Sequence, residues 1–272
     1  MTDRGKAIVL GAGGITGVAW EIGMLLGLAE HGVHLADTDL LVGTSAGSVV
    51  GAQLLGGVPL KDLYEAQLTR PAGPAQAAMG TSFVLRYALS AFLPNGTAWL
   101  GRQALRAKTV PPEERRRVIA ERIGRDEWPE TPLLITAVEA ETGRLKVFDS
   151  TSGVSLIDAV AASCAVPLVW PPHTIDGVAY VDGGTRSVAN ADLARGCELL
   201  VVLAPVTGIN RRPGMQAESL HVPYAVVAPN DLALTRMGRN PLDPAFRASA
   251  AEAGRQQAER EAEKIGGVWS RK

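Results

Sequence analysis

Short apolar runs and helix-like patterns alternate over the first part of the chain. Residues 7–10 form an apolar run that ends in a cluster of glycines, and apolar side chains recur at near-helical spacing from Gly17 to Glu30. A second apolar run over 39–43 is followed at once by a helical pattern over 46–55. We expect a strand, a glycine-rich loop, a helix, a second strand, a tight turn and a second helix. This alternation favours right-handed crossovers and a mainly parallel sheet.

The middle of the chain changes character, because residues from about 59 to 124 carry helical patterns and no strand signal. We interpret this segment as a helical insertion. A charged, alanine-rich pattern from 244 to 264 predicts a C-terminal helix on the surface. Strand signals return at 133–138, 145–148, 178–181, 199–203 and 225–227. Residues 1–272 show no repeat and no linker, so we expect a single α/β domain with a mainly parallel central sheet sandwiched by helices.

Composition and charge narrow the class of protein. With 27 Lys and Arg against 28 Asp and Glu the formal net charge is −1, so no basic excess drives binding to nucleic acid. Cys164 and Cys197 make neither a disulfide framework nor a metal-ligand cluster, which favours a reducing, cytoplasmic setting and no metal. The apolar stretch over 7–29 contains six glycines and Glu21, which argues against a membrane span or a signal peptide.

The sharpest chemical signal is Gly43-Thr44-Ser45-Ala46-Gly47, a G-x-S-x-G motif between the second strand and the second helix. A serine on such a turn is held on strained backbone, and the glycines avoid clashes with the surrounding chain. The helix that begins after Ser45 brings N–H groups and a partial positive charge toward a developing oxyanion. The alternative is a serine N-cap between packing glycines, but the flanking strand and helix favour Ser45 as a nucleophile.

The glycine-rich loop from Gly11 to Gly17 has two competing interpretations. A dinucleotide-binding loop needs G-x-G-x-x-G, with Asp37 or Asp39 for the ribose, and the chain matches that pattern only partly in either register. An oxyanion loop requires only unobstructed N–H groups, which glycines allow. Because the carboxyl ends of parallel strands share one edge of a sheet, this loop and Ser45 can form one site. The candidate oxyanion-binding residues are Gly11, Ala12, Gly13, Gly14 and Ala46.

A third motif, Asp182-Gly183-Gly184, follows the predicted strand that ends at Val181. Alone, this motif is typical of a turn. With Ser45 in place as a nucleophile, Asp182 is the best carboxylate to accept the serine proton. A carboxyl of ordinary pKa is a weak base for a hydroxyl, so we expect the site to exclude water and to raise the pKa of Asp182.

Taken in chain order, these three motifs resemble the patatin-like phospholipases. The stretch Ala162-Ser163-Cys164-Ala165-Val166-Pro167 is also similar to that family's sequence before its aspartate, and the resemblance covers about residues 1–60 and 155–190. It implies a patatin-like α/β fold and a serine lipid acyl hydrolase that uses a dyad, Ser45 and Asp182, and no cofactor. The expected partner is a lipid or acyl ester, with peripheral membrane contact left open. The supporting motif positions are Gly43, Gly47, Gly183 and Gly184.

The chain departs from the family's loop at two positions. It carries Thr16 where the family usually has Arg or Lys, and Ala12 where the family has Gly. A cation at that place would help to hold an oxyanion or an anionic head group. Its absence argues against a preference for anionic phospholipids and leaves neutral esters or lysolipids open, whereas backbone donors do not depend on that side chain.

Two other mechanisms stay open at this point. The order Ser45, Asp182, His221 is that of an α/β-hydrolase triad, although only two predicted strands precede the serine. A protein that binds lipid without turning it over also fits every motif.

Two further segments have less specific patterns. The apolar segment from Phe83 to Phe92 is a hypothesis for an acyl-chain channel or a lipid contact, with a plain core helix as the alternative. The run Arg115-Arg116-Arg117 beside Glu113 and Glu114 is interpreted as a solvated charged face.

Overall fold

The computed structural model describes residues 4–69, 81–90, 92–207 and 212–270. Its helices are α1 (Gly14–Glu30), α2 (Ala46–Leu55), α3 (Leu60–Leu68), α4 (Thr81–Ser90), α5 (Gly96–Leu105), α6 (Pro112–Ile123), α7 (Leu156–Ser163), α8 (Pro213–Glu218), α9 (Asp231–Met237) and α10 (Arg247–Trp269). Its strands are β1 (Arg4–Leu10), β2 (Leu40–Thr44), β3 (Leu133–Glu139), β4 (Leu145–Phe148), β5 (His173–Ile175), β6 (Val178–Asp182), β7 (Cys197–Leu203) and β8 (Tyr224–Val227).

The strands form one sheet in the order β5-β6-β3-β2-β1-β7-β8, and β4 pairs with β3 off this path. The central run β3-β2-β1-β7-β8 is parallel throughout. β4 and β6 pair antiparallel with β3, and β5 pairs antiparallel with β6. The mainly parallel central sheet expected from the alternation of strands and helices is confirmed.

Both faces of the sheet are buried. Along β1, Ile8 and Leu10 pack into one layer while Ala7 and Val9 pack into the other, and all four are fully buried. Helices α1, α2, α7 and α10 cover the first face, and α8 with the turns around 188–194 covers the second. Burial on two sides explains why these strands are continuous apolar runs in the sequence. The α/β class with helices on both faces is thereby confirmed.

The segment 59–124 holds the four helices α3 to α6 and no strand among its described residues, which agrees with the predicted helical insertion. Asp176 and Gly177 have φ of 48° and 78° and connect β5 to β6 as a tight hairpin. The prediction missed β5, because a three-residue strand carries too few positions to show an alternating pattern.

The C-terminal helix differs from the prediction in length and in burial. α10 continues to Trp269, and one of its faces packs along α1 rather than lying only on the surface. Gly254 lies against the Trp20 carbonyl and Gly23 against the Ala251 carbonyl, so the two backbones are in close contact. Small residues permit this approach but give only a weak hydrophobic signal in the sequence. Within the described ranges, no helix combines the length and apolar character needed to cross a membrane.

Candidate active site

Ser45 occupies the turn between β2 and α2. Its backbone has φ 52° and ψ −110°, a conformation that a residue with a Cβ seldom adopts and that stores strain. The Ser45 N–H donates to the Ser163 hydroxyl at 2.8 Å, and the Ser45 carbonyl accepts a hydrogen bond from Ser48 Oγ at 2.7 Å. These bonds on both sides hold the strained turn and fix the direction of the Ser45 side chain.

The two glycines of the turn are required by packing. A Cβ at Gly43 would lie 2.7 Å from Ser48 Cα, and a Cβ at Gly47 would overlap the Leu10 carbonyl. Both obstacles are backbone atoms, which cannot rotate away. The Gly47 N–H donates to the Gly11 carbonyl at 2.9 Å, so the turn is also tied to the glycine-rich loop.

Strand register brings Asp182 next to Ser45. β2 pairs with β3 so that Thr44 lies opposite Thr136, and β3 pairs with β6 so that Ala137 lies opposite Asp182. Ser45 follows Thr44 directly, just as Ala137 follows Thr136. The serine and the aspartate therefore stand at the same level of the sheet, with β3 between their strands.

The side chains of Ser45 and Asp182 both line one cavity, and each residue is only 5% exposed. Burial raises the pKa of Asp182 from its ordinary value of 3.8 to about 6. The Ser45 hydroxyl, the hydrogen bond from the Gly184 N–H and the charge of Arg115 oppose part of that rise. The bond from Gly184 reaches Asp182 Oδ1 at 2.7 Å. The carboxyl is thus ionised at neutral pH yet more basic than a solvated one, in the direction expected from the sequence.

The structure divides the five predicted oxyanion donors into two groups. The Gly11 N–H donates to the Leu203 carbonyl at 2.9 Å, and the Ala12 N–H donates to the Val188 carbonyl at 2.7 Å. The Gly11 bond continues the pairing of β1 with β7, and the Ala12 bond is made to the loop after β6. Both N–H groups are engaged, so the prediction for Gly11 and Ala12 is corrected.

The other three predicted donors are Gly13, Gly14 and Ala46. Each stands at the start of a helix, where an N–H has no acceptor within the helix. No described residue accepts a hydrogen bond from any of the three. The positive ends of α1 and α2 thus meet beside Ser45, which favours negative charge at that place.

A cavity of about 230 Å³ opens beside the side chains of Ser45 and Asp182. Its wall is mostly apolar and includes Val166, Pro167, Val188 and Leu242. Among the described residues that line it there is no Lys or Arg. An apolar cavity next to a serine hydroxyl and free N–H groups suits an uncharged acyl chain with a polar bond at one end.

Polar residues outside the motifs hold this arrangement together. Asn190, at φ 54°, donates from Nδ2 to Thr44 Oγ1 at 3.1 Å and to the Ser187 carbonyl at 2.9 Å, which ties the end of β2 to the loop after β6. Tyr87 of α4 lines the cavity and donates its hydroxyl to the Gly184 carbonyl at 2.9 Å. The contacts of Asn190 with Thr44 and of Tyr87 with Gly184 have no local sequence pattern, because these partners are 146 and 97 positions apart in the chain.

The interpretation of residues 115–117 as a solvated face is wrong for Arg115. Its guanidinium lies 4.2 Å from the ring centroid of Trp170, and burial lowers its pKa to about 10. Its positive charge acts on Asp182 and lowers the pKa of that carboxyl. Arg117 fits the interpretation, since it is exposed and pairs with Glu121. One cation of the run therefore belongs to the electrostatics of the candidate active site.

The histidine triad is not supported by the structure. His221 is exposed in the loop before β8, and its Nδ1 lies 2.9 Å from the Ser219 carbonyl. That loop is at the amino end of β8, whereas Ser45 follows the carboxyl end of β2, so the two lie at opposite edges of the sheet. His173 interacts with Asp158 at 2.9 Å rather than with Asp182.

The dinucleotide interpretation of the glycine-rich loop also disagrees with the structure. Asp39 precedes β2, and its Oδ2 accepts the Lys6 N–H at 2.7 Å. The ribose-binding acid of a dinucleotide site belongs near the carboxyl end of the strand, at the edge where the glycines lie. The loop is also covered, because a Cβ at Gly13 would meet Pro205 Cβ at 2.5 Å.

The cysteines and metal ligands add no reactive centre in the described part of the chain. Cys164 and Cys197 are buried and free, and burial raises the pKa of the Cys164 thiol to about 11. No group of three or more His, Cys, Asp and Glu side chains in the described ranges could hold a metal ion.

The chain is similar to one protein family and to solved structures. The family model described as patatin-like phospholipase matches residues 8–195, which is more than half of the chain and includes both Ser45 and Asp182. VipD from Legionella pneumophila is a solved structure with 13% identity and a TM-score of 0.48, covering 96% of this chain and 67% of VipD. The type III effector protein ExoU has 20% identity and a TM-score of 0.40, covering 94% of this chain and 54% of ExoU.

No curated protein matches the chain. The chain spans about half the length of ExoU. The family model alone establishes the relationship, because it extends from the first strand through the glycine-rich loop, the serine turn and the Asp-Gly-Gly motif in one continuous match. The chain belongs to the patatin-like phospholipase family, whose members are lipid acyl hydrolases.

Proposed function

We propose that the protein hydrolyses acyl ester bonds of lipids through an acyl-enzyme on Ser45, with Asp182 as the base. The observation that carries this proposal is the placement of a serine on strained backbone beside a buried carboxyl, since Ser45 and Asp182 stand at the same level of the sheet and line one cavity. Family membership supports the reaction class, and the apolar cavity supports an acyl substrate.

In the first half of the reaction, the Ser45 hydroxyl attacks the ester carbonyl while its proton passes to Asp182. Negative charge develops on the carbonyl oxygen, and the N–H groups of Gly13, Gly14 and Ala46 are available to receive it. The C–O bond to the leaving alcohol then breaks, and the alcohol takes the proton from Asp182. The product is an ester of Ser45 with the acyl chain.

In the second half, Asp182 accepts a proton from water, and the resulting hydroxide attacks the acyl-enzyme. The Ser45 oxygen leaves with the proton held by Asp182, and the free fatty acid departs. The same carboxyl thus acts as base and then as acid in each half. A pKa of about 6 suits both roles near neutral pH, because the group gains and loses a proton at modest cost.

The substrate class follows from the lining of the cavity. Thr16 is fully buried in the first turn of α1, and no Lys or Arg lines the cavity among the described residues. We therefore favour neutral esters or lysolipids over anionic phospholipids at the site itself. The mostly apolar wall binds the acyl chain, and the ester lies at the end occupied by Ser45.

Labelling by a fluorophosphonate probe, together with hydrolysis of p-nitrophenyl esters of increasing chain length, tests the proposal. We expect Ser45→Ala to abolish labelling and turnover, and Asp182→Asn to reduce turnover by roughly 100-fold or more. The matched control is His221→Ala, which should leave both signals unchanged because His221 lies at the opposite edge of the sheet.

A loss of activity in His221→Ala would instead support a triad. A folded native chain that neither reacts with the probe nor turns over any ester would contradict the hydrolase, and lipid binding without turnover would replace it.

A further inference from the structure

α4 has two faces that meet different surroundings. Tyr87 faces the candidate active site, since it lines the cavity and its hydroxyl is bonded to the Gly184 carbonyl. At 3.6 residues per turn, Leu85 and Leu89 lie about 40° apart around the helix and each about 160° from Tyr87. The two leucines therefore lie on the side of α4 that faces away from the cavity.

That outer side is apolar and open to solvent. Leu85 is 70% exposed and Leu89 is 46% exposed. Phe92 is 78% exposed and follows α4 in the sequence. Its N–H donates to the Leu89 carbonyl at 3.0 Å. Phe92 and Leu85 are the two most exposed large apolar side chains in the described part of the chain. We call Leu85, Leu89 and Phe92 the apolar stripe.

The charged residues in the sequence around the apolar stripe are all positive. The whole chain has a net charge of −1, whereas residues 66–112 contain five Lys and Arg and no Asp or Glu. In the described part of this segment, Arg86, Arg106 and Lys108 are exposed, and none of them forms an ion pair with a described residue. Arg86 instead donates to Gln103 at 3.2 Å, which connects α4 to α5.

Exposed apolar side chains flanked by unpaired cations are the features that bind the surface of an anionic bilayer, where the apolar groups enter the acyl boundary and the cations meet lipid phosphates. A neutral or acidic flank would not give this complementarity. The stripe is also close to the cavity, because only the thickness of α4, about 10 Å, separates it from the cavity wall at Tyr87.

We propose that the apolar stripe and the cations of residues 86–108 dock the protein on an anionic lipid bilayer. Docking sets the mouth of the cavity beside the membrane, so that a substrate molecule leaves the bilayer close to Ser45. The delivery of substrate rests on the proposed function, whereas the docking itself does not depend on turnover.

Sedimentation with vesicles tests the docking. We compare vesicles of phosphatidylcholine alone with mixed vesicles of phosphatidylcholine and phosphatidylglycerol. The native chain should bind the mixed vesicles more tightly. The variant Leu85→Ser/Leu89→Ser/Phe92→Ser should lose about 100-fold or more in partitioning to them, given the apolar area that no longer enters the bilayer. Circular dichroism checks that this variant is folded.

The matched control for the stripe is Tyr224→Ser, because Tyr224 is 39% exposed at the amino end of β8, on the opposite edge of the sheet from Ser45. It should bind both kinds of vesicle as the native chain does. If Tyr224→Ser weakens binding as much as the stripe variant does, or if the stripe variant binds normally, docking through α4 is refuted.

A second pair of variants isolates the charge. Arg106→Gln/Lys108→Gln should lose about 25-fold in binding to mixed vesicles, from about fivefold per cation near an anionic surface, and little in binding to phosphatidylcholine alone. Arg117→Gln/Arg260→Gln removes the same charge from other helices and should have no such effect. Equal losses in the two double variants would contradict a local docking face.

Two measurements separate this proposal from the proposed function. Ser45→Ala should bind vesicles like the native chain. Vesicle binding by a native chain that hydrolyses no ester would leave docking standing and refute the hydrolase, whereas turnover of a soluble ester without vesicle binding would do the reverse. If vesicles are not bound and the stripe variant converts a dimer to a monomer in gel filtration, the stripe is an interface between copies of the chain, and docking is refuted.

Discussion

Replacing Asp182 by asparagine should make the protein more stable while it removes the base. A pKa of about 6 in the folded chain, against an ordinary value of 3.8, is a difference of about two units. Each unit corresponds to about 1.4 kcal/mol, so the ionised carboxyl lowers the free energy of unfolding by about 3 kcal/mol at pH values above both pKa values.

The sign follows from proton binding. Because the folded pKa is the higher one, the folded chain keeps a proton that the unfolded chain has already released between about pH 4 and pH 6. The free energy of unfolding of the native chain therefore falls as the pH rises through this interval and stays lower above it. Asp182→Asn has no such loss, since an amide does not titrate.

The amide also preserves the local hydrogen bonds. Its oxygen can accept the Gly184 N–H that now reaches Asp182 Oδ1 at 2.7 Å, and its NH₂ group can donate to the Ser45 hydroxyl. The gain from removing a buried charge is therefore not cancelled by unpaired polar atoms. We expect the free energy of unfolding of the variant to exceed that of the native chain by about 2 to 3 kcal/mol at about pH 8 and to match it at about pH 4.

Urea unfolding across this pH range measures the difference. Glu259→Gln, at an exposed carboxyl on α10, serves as the control for loss of one negative charge. The reasoning is refuted if Asp182→Asn is no more stable than the native chain at about pH 8, or if its gain in free energy of unfolding does not change with pH. Either result would show that burial does not destabilise the ionised carboxyl.

Three further predictions concern the electrostatics and the geometry of the site. Arg115→Gln should raise the pKa of Asp182 and shift the acidic limb of kcat/KM to higher pH, because that cation now favours the ionised carboxyl, whereas Arg117→Gln should leave the pH–rate profile unchanged. Ser163→Ala should lower the free energy of unfolding by about 1 to 3 kcal/mol and lower kcat, because it leaves the buried N–H of Ser45 unpaired. Urea unfolding measures the first effect, and single-turnover kinetics measure the second. Burial raises the pKa of Glu21 well above its usual range, so the unfolding free energy of the native chain should fall as the pH rises above about 4, and Glu21→Gln should flatten that dependence in urea titrations.

Sequence reasoning succeeded where the determinants are local. The turn at Ser45 needs a strand before it, a helix after it and glycines at both motif positions, and all of these are adjacent in the chain. The central strands were equally accessible, because burial on both faces of the sheet produces uninterrupted apolar runs. The Asp-Gly-Gly motif identifies Asp182 as a candidate, but Asp182 reaches Ser45 because of the register of β3 against β2 and β6.

Sequence reasoning failed where distant segments meet. The glycine-rich loop suggested five N–H donors, and only the structure shows that the Gly11 and Ala12 N–H groups are used by the Leu203 and Val188 carbonyls. Arg115 belonged to a run whose charge pattern is typical of a solvated face, yet Trp170 lies against its guanidinium. Such contacts depend on the crossing of helices over the sheet, and no spacing in the sequence encodes them.

On the proposed mechanism, burial performs the task that a histidine performs in a triad. A carboxyl of ordinary pKa accepts a proton from serine poorly, but at about 6 Asp182 lies within about half a unit of imidazole. If burial acted alone, the pKa would rise further. The Ser45 hydroxyl, the Gly184 N–H and the charge of Arg115 limit the rise, so the carboxyl is a stronger base that is still ionised at neutral pH. The net free energy that corresponds to this rise in pKa is the quantity that Asp182→Asn should recover, which makes stability a direct measure of how the base is tuned.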